Sequence, residues 1–399
     1  MADAMTESGP EFPMRKTCPL HPPREYAELR DRRPICRVTL PTGVSAWLVT
    51  RHDHVRRLLA DPHVSTDRTQ PGFPLLRPAA DRTNPVLLGT DPPEHTWHRR
   101  MVLGDFTVKR VARMRPRIQE IVDTHVDALL AGDRPADLVR ALALPVPSLA
   151  ICELLGVPYA DRAVFQRNTT ALSGQGDGVE ARRAASEALD AYLDHLVAGH
   201  EADPGEDLLG RLIVKYREAG CYDHDWLVRL GRVLLMAGHE TTANMISLGV
   251  VGLLENPGQL EALRGAPELW PRAVDELLRF FSIVDHGTTR VATADIEIGG
   301  ERIREGEGMI LVLGSADRDG GVFADPDRLD IHRNARPHVA FGYGPHQCVG
   351  QHLAHAELEI VLRTLFERVP ALRLAESVDR LPFKPATGVY GLHALPVTW

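Results

Sequence analysis

Phe341-Gly342-Tyr343-Gly344-Pro345-His346-Gln347-Cys348-Val349-Gly350 is the stretch on which the reading of this chain turns. A single cysteine closes a glycine-punctuated loop directly before a helical pattern over about 350–368. Gly342 and Gly344 permit backbone angles that a side chain forbids, so the loop can fold tightly under a flat ligand. Gly350 lets the following helix approach that ligand closely. A cysteine at a helix N-terminus feels the positive end of the dipole and nearby amide N–H groups, which favour the thiolate. A lone cysteine after a glycine turn is more often a small buried hydrophobe. The length of the pattern Phe-Gly-x-Gly-x-His-x-Cys-x-Gly reverses that expectation, toward a thiolate that serves as an axial metal ligand.

Outward from the loop, the longest helical pattern covers 226–255 and stops at Asn256-Pro257. At its centre lies Ala237-Gly238-His239-Glu240-Thr241-Thr242, and Leu234, Ala237, Gly238, Thr241, Met245 and Leu248 share one face. A mid-helix glycine costs about 1 kcal/mol of helix propensity. It also permits close approach of a flat ligand and a local opening of the hydrogen-bond ladder. Packing of small residues against a neighbouring helix explains the same pattern equally well. A further helix over 268–281 puts Glu276 and Arg279 on one face. Exposed, such a pair is worth little; buried, it needs more partners to offset desolvation. The segments 288–292, 295–298 and 309–313 alternate like short strands, with Gly299-Gly300 as a turn.

Toward the N-terminus, residues 1–17 are polar and proline-bearing, and a flexible tail is expected. A short helix over 24–33, a hairpin of 37–40 with 46–49, and a helix over 52–59 follow. The span 61–90 carries five prolines and two glycines among apolar patches that include Phe73, Leu87 and Leu88. It is either a solvated loop or a cover over a pocket, with Arg77 and Arg82 as polar anchors. Asp91-Pro-Pro-Glu-His-Thr96 reads as a helix start with Asp91 as cap. His95 and Arg99 share a face of that helix.

Residues 99–117 hold seven basic side chains and one acid, Asp105, within a chain of net charge −8. A solvated helix face explains a charge run of this kind, and an acidic partner is steered toward it. The span 111–220 is mainly helical by period; its glycine-rich 173–178 lacks a Walker lysine and suits a hinge. Histidines at 332, 338, 346, 352 and 355 fit no familiar metal-ligand spacing.

No apolar run reaches bilayer-spanning length, and the first residues lack the pattern of a secretory signal. The five cysteines are scattered, with no Cys-x-x-Cys, which fits a reducing cytoplasm and argues against a disulfide framework. The negative net charge argues against a general nucleic-acid binder.

Taken together in order, His95/Arg99, 237–242, Glu276/Arg279 and the Cys348 loop resemble the cytochrome P-450 superfamily, over nearly the whole chain. The resemblance implies a mainly α fold, a large helical region with a smaller β-rich lobe, as one domain over 18–399. It implies haem b (iron protoporphyrin IX) with the Cys348 thiolate as axial ligand. His95, Arg99, Arg290 and His346 would hold its propionates, and Phe341, Gly342, Gly350, Ala237 and Gly238 would lie against it. Thr241 and Glu240 match the dioxygen-activating alcohol and the proton-relaying acid, while Arg328 matches the third member of the Glu276/Arg279 group. Phe73, Leu87, Leu88, Leu234, Ile283, Val284 and Tyr390 would line the substrate pocket, with Asp285-His286-Gly287 continuing it. Trp97 stands where a basic residue is usual, and Gly320 where proline is.

The implied function is a cytoplasmic, monomeric monooxygenase using dioxygen, with electrons from a ferredoxin and its NAD(P)H-dependent reductase. Its wording is similar to actinobacterial enzymes of secondary metabolism and antibiotic biosynthesis that hydroxylate macrolides, polyenes or terpenoids. A peroxygenase, or a haem-binding sensor or carrier without turnover, is the alternative. The Glu240-Thr241 pair argues against the first, and that pair with the basic patch against the second.

Overall fold

Apolar residues recur at helical spacing over most of the chain, and burying those stripes against one another builds the helical body. The computed structural model describes residues 9–76, 85–170, 179–284, 288–384 and 388–399. Helix His224–Leu254 runs through the body and packs on Pro145–Leu155, Val179–Ala202, Trp270–Phe281 and Gln351–Arg368. Helix Val108–Ala131 lies along Gln351–Arg368. Their facing side chains form one buried apolar cluster whose members run from Val86 to Val397.

The smaller lobe is a five-stranded sheet in the order Ile35–Thr39, Ser45–Val49, Gly308–Leu311, Thr288–Ala292, Val64–Ser65. Ser45–Val49 pairs with Gly308–Leu311 in parallel, and the other neighbours are antiparallel. Strand Thr288–Ala292 pairs Arg290 with Met309, which fixes where that arginine leaves the sheet. Among the described residues no helix is long and apolar enough to cross a membrane.

Several expectations need correction. The ordered chain does not wait until 18: within the expected 1–17 tail Phe12 is buried, its N–H donates to the Thr39 carbonyl, and Thr39 N–H returns to Pro10. Burying that aromatic ring offsets the cost of ordering the segment. The pattern 309–313 is strand only as far as Leu311, because Ser315 and Ala316 N–H groups bond back to the Val312 carbonyl and start a short helix. Within the span read as helix, Ala136–Asp137 forms a strand with Pro396–Thr398. The span 61–90 is not wholly irregular: Val64–Ser65 adds to the large sheet, and Gly72 lies against the Gly306 carbonyl, where no Cβ fits. Arg77, Arg82, the 173–178 stretch and Asp285-His286-Gly287 lie outside the described residues.

Candidate functional site

The cysteine loop is held by its own backbone. Gly342 and Gly344 adopt φ of 70° and 74°, the left-handed region in which a side chain is strained. Gly344 also sits so close to the Leu59 carbonyl that a Cβ would come within 2.6 Å. Cys348 N–H donates to the Phe341 carbonyl at 2.8 Å, and Gly342 N–H to Val339 at 2.7 Å. Gly350 precedes helix Gln351–Arg368 with an ordinary negative φ, and a Cβ there would meet nothing nearer than Cys348 Sγ at 3.9 Å, so neither backbone nor neighbouring side chains demand glycine. Cys348 is exposed at the loop, yet the protein packed around it desolvates the thiol and pushes it up, while the Gly350 and Gln351 amides and the Arg99 charge pull it down. Those amide donors suit a thiolate ligand, whose negative charge a bound cation would hold in place.

Helix Glu94–Leu103 approaches the loop from the side. Arg99 Nη2 donates to the Gln347 carbonyl at 2.6 Å. One turn earlier His95 stacks on His346, ring centroids 3.8 Å apart. Both nitrogens of His95 are buried without a partner. Burial and Arg99 push His95 down to about 4, and burial with His95 pushes His346 down to about 3. Burial also lowers Arg290 to about 10. Asp91, whose charge reaches His95 and Arg290, has its oxygens engaged by Ser65 and Thr66. The expected helix-capping role of Asp91 is therefore not what its side chain does. Crowded donors with orphaned nitrogens above a thiol loop fit a flat ligand that carries carboxylates, as haem does.

On helix His224–Leu254 the mid-helix turn is open where its neighbours are buried. Met236 and Ala237 are exposed, and Glu240 and Thr241 are half-buried, whereas the helix from Thr242 to Leu253 is buried throughout. Thr241 Oγ1 donates back to the Ala237 carbonyl at 2.5 Å. Of the two readings of Gly238, packing against a neighbouring helix has a contact behind it. A Cβ there would meet Ile151 Cδ1 at 2.7 Å, so the glycine admits helix Pro145–Leu155.

Sequence reasoning missed the partner of Glu240: the buried Lys384, whose Nζ donates to Oε1 at 2.7 Å. No motif marks that lysine. It is carried by the C-terminal chain, where Lys384 N–H donates to Gly391 and a Cβ on Gly391 would overlap the Asn244 side chain.

Of the pocket candidates, Phe73, Leu87, Leu234, Ile283 and Tyr390 are buried, Val284 is half-buried and Leu88 is exposed. Tyr390 is joined to Ile283 through its N–H at 2.8 Å, and its hydroxyl donates to the Pro19 carbonyl. It thereby ties the C-terminal chain to the N-terminal segment.

Behind the loop, Glu276 and Arg279 are fully buried and joined by two bonds of 2.7 and 2.8 Å. The third side chain is Arg333, not Arg328. Arg333 Nε donates to Glu276 at 3.2 Å, whereas Arg328 is exposed and contributes its carbonyl to Arg279.

The basic stretch also resolves. Asp105 is buried and bonded to Arg211 and Lys215, so the one acid is turned inward. Arg115 pairs with Glu359 and Arg117 with Glu153. Arg100, Lys109, Arg110 and Arg113 have no acidic partner among the described residues. The exposed Trp97, Leu103 and Val108 stand among them.

With this geometry in hand, similarity to known proteins is extensive. The cytochrome P450 family model matches residues 268–382. Pentalenic acid synthase of Streptomyces avermitilis is 51% identical, over 99% of this chain and 100% of that protein. The crystal structure of cytochrome P450 MoxA from Nonomuraea recticatena superposes with a TM-score of 0.95 at 52% identity, covering 98% of this chain and 99% of that one. Mycinamicin VIII C21 methyl hydroxylase from Micromonospora griseorubida, solved with mycinamicin VIII bound, gives 0.89 at 45% identity, covering 98% and 100%.

Proposed function

This chain belongs to the cytochrome P450 family of haem-thiolate monooxygenases, and on that premise we propose that it hydroxylates a C–H bond of a bulky apolar natural product, in the cytoplasm, with electrons from a ferredoxin. Relatives named for pentalenic acid and for a methyl group of mycinamicin VIII support that substrate class. The observation that carries the reading is the conjunction of the amide-supported Cys348 loop with the orphaned His95 nitrogens above it.

When bound, haem b supplies reductive dioxygen activation at an iron made electron-rich by its thiolate ligand. Cys348 would be that ligand. His95, Arg99, Arg290 and His346 would hold the two carboxylates, and each would gain a partner that it lacks or shares within the chain. Glu240 and Thr241 would deliver protons, the acid at Oε2 and the alcohol at Oγ1, with Lys384 fixing the acid's other oxygen. Leu234, Ile283 and their apolar neighbours would exclude water from the reacting carbon. Arg100, Lys109 and Arg113 would steer an acidic ferredoxin.

The test is steady NAD(P)H consumption coupled to a hydroxylated product in the presence of a ferredoxin and its reductase. Turnover with peroxide alone, unchanged by Thr241→Ala, would overturn the reading. Cys348→Ser should leave a folded chain that lacks the red-shifted carbon monoxide band of thiolate-ligated ferrous haem; a retained band removes Cys348 from the ligand position.

A further inference from the structure

Histidines whose spacing in the chain fits no metal motif find an acidic partner only in three dimensions. Asp275, the residue before Glu276 on helix Trp270–Phe281, faces two of them. Its Oδ1 is 3.4 Å from His355 Nε2 and 4.0 Å from His338 Nε2. The three donor atoms lie within 4.8 Å of one another. Side-chain exposures of 21% for Asp275, 6% for His338 and 31% for His355 leave the cluster reachable at one edge yet held by protein elsewhere. Among the described residues, no guanidinium or ammonium group lies within salt-bridge distance of Asp275. Within that distance the charged neighbours of this half-buried carboxylate are imidazoles, and the Arg336 guanidinium acts on it from farther off.

We propose that Asp275, His338 and His355 form a binding site for a borderline divalent transition metal of the zinc class, with water completing the shell. Two imidazole nitrogens and one carboxylate oxygen are a donor set zinc accepts, whereas calcium and magnesium require more oxygens. Tetrahedral zinc with bonds of about 2.0–2.1 Å sets its donors about 3.3 Å apart. The Asp275–His355 edge already has that length, and the Asp275–His338 edge closes by a small side-chain movement. The opposing contact is the Ala340 N–H, which donates to His338 Nδ1 at 3.2 Å. Ligation through Nε2 puts the proton on Nδ1 and removes that bond, a penalty of about tenfold in affinity.

The site has a structural consequence of its own. Its ligands come from helix Trp270–Phe281, from the segment entering the cysteine loop, and from helix Gln351–Arg368 leaving it. The Phe341 ring rests against both imidazoles at 5.9 and 5.4 Å, and its carbonyl receives the Cys348 N–H. A bound metal thus staples together the three pieces of chain that support the thiolate, independently of which substrate the enzyme takes.

The experiment is zinc retention by the haem-loaded enzyme, stripped with chelator, equilibrated with micromolar zinc and passed through a desalting column. Zinc content and zinc-edge X-ray absorption are then read. The expected result is one zinc per chain with two imidazoles and a light oxygen shell. Asp275→Asn and His355→Gln should each weaken retention by more than the roughly 10–100-fold that loss of an outer-shell partner costs. His352→Gln, on the same helix outside the cluster, should retain the metal. His355→Cys, which restores a zinc ligand, should retain it too, and decides the matter if the other variants fold poorly. Absence of retained zinc, or equal retention by wild type, Asp275→Asn and His355→Gln, overturns the site.

Discussion

Two polar assemblies flank the cysteine loop, and they are built on opposite plans. The Glu276–Arg279–Arg333 group is closed. Besides each other, Glu276 accepts from Asp330 N–H, and Arg279 donates to the carbonyls of Asp317, Pro326 and Arg328. The His95–Arg99–Arg290–His346 group is open: cations and neutral imidazoles crowd together, and the His95 nitrogens have no partner. Desolvated charge is tolerable in the first because all five Arg279 protons and both Glu276 oxygens are engaged. In the second the cost remains, to be relieved by a ligand. A closed network serves the fold, an open one serves binding, and the difference is measurable.

The largest effect belongs to the closed side. Arg279→Ala should cost about 3–5 kcal/mol in denaturant unfolding of the holoenzyme, because Glu276 is left buried and unpaired. Replacing both partners by Leu and Met should recover part of that loss. An unchanged midpoint for Arg279→Ala would erase the contrast.

On the open side the signature is pH. Folded His95 sits at about 4 against an ordinary 6.5, so its contribution is fully present above about pH 6.5. As pH falls toward 4 the unfolded chain takes up the proton first, and His95 by itself should cost the haem-free protein on the order of 3 kcal/mol, beside what the similarly depressed His346 adds. His95→Asn should reduce that slope between pH 7 and 4, leaving the part due to His346. Bound haem should flatten it too, since a propionate raises His95 toward its unfolded value.

Lys384 tests a link between fold and chemistry. Lys384→Met frees the Glu240 carboxylate and should lower product formation by about tenfold, a fraction of what a positioned proton donor supplies. More of the electrons should then leave as hydrogen peroxide. Lys384→Arg should restore coupling, which a merely structural lysine would not require.

The smallest effect separates two arginines. Arg328→Ala should change stability by less than about 0.5 kcal/mol, because only its carbonyl is used. Arg333→Ala should cost about 1–3 kcal/mol through the lost bond to Glu276. Equal effects would return Arg328 to the role its motif suggested.

Local sequence was a good guide wherever the chemistry is local. Gly342, Gly344 and Cys348 could be read directly, because a left-handed turn and a helix-start thiol are decided within ten residues. Long periodic helices such as 224–254 were legible to within two residues at each end. The pair Glu276/Arg279 could be seen as sharing a face, though not as buried. What the chain alone did not reveal depends on distant partners. Gly238 is small because Ile151 approaches it, Glu240 is anchored by a lysine 144 residues away, and Arg333 rather than Arg328 reaches Glu276. Asp275 joins His338 and His355 only after two helices pack on either side of the loop. Backbone preference and helix period are properties of a short segment, so sequence by itself determined the cysteine loop, the helical class and the placement of the acid–alcohol pair. Which side chain satisfies a buried charge depends on what the folded core brings within 3 Å, and that only the tertiary structure decided.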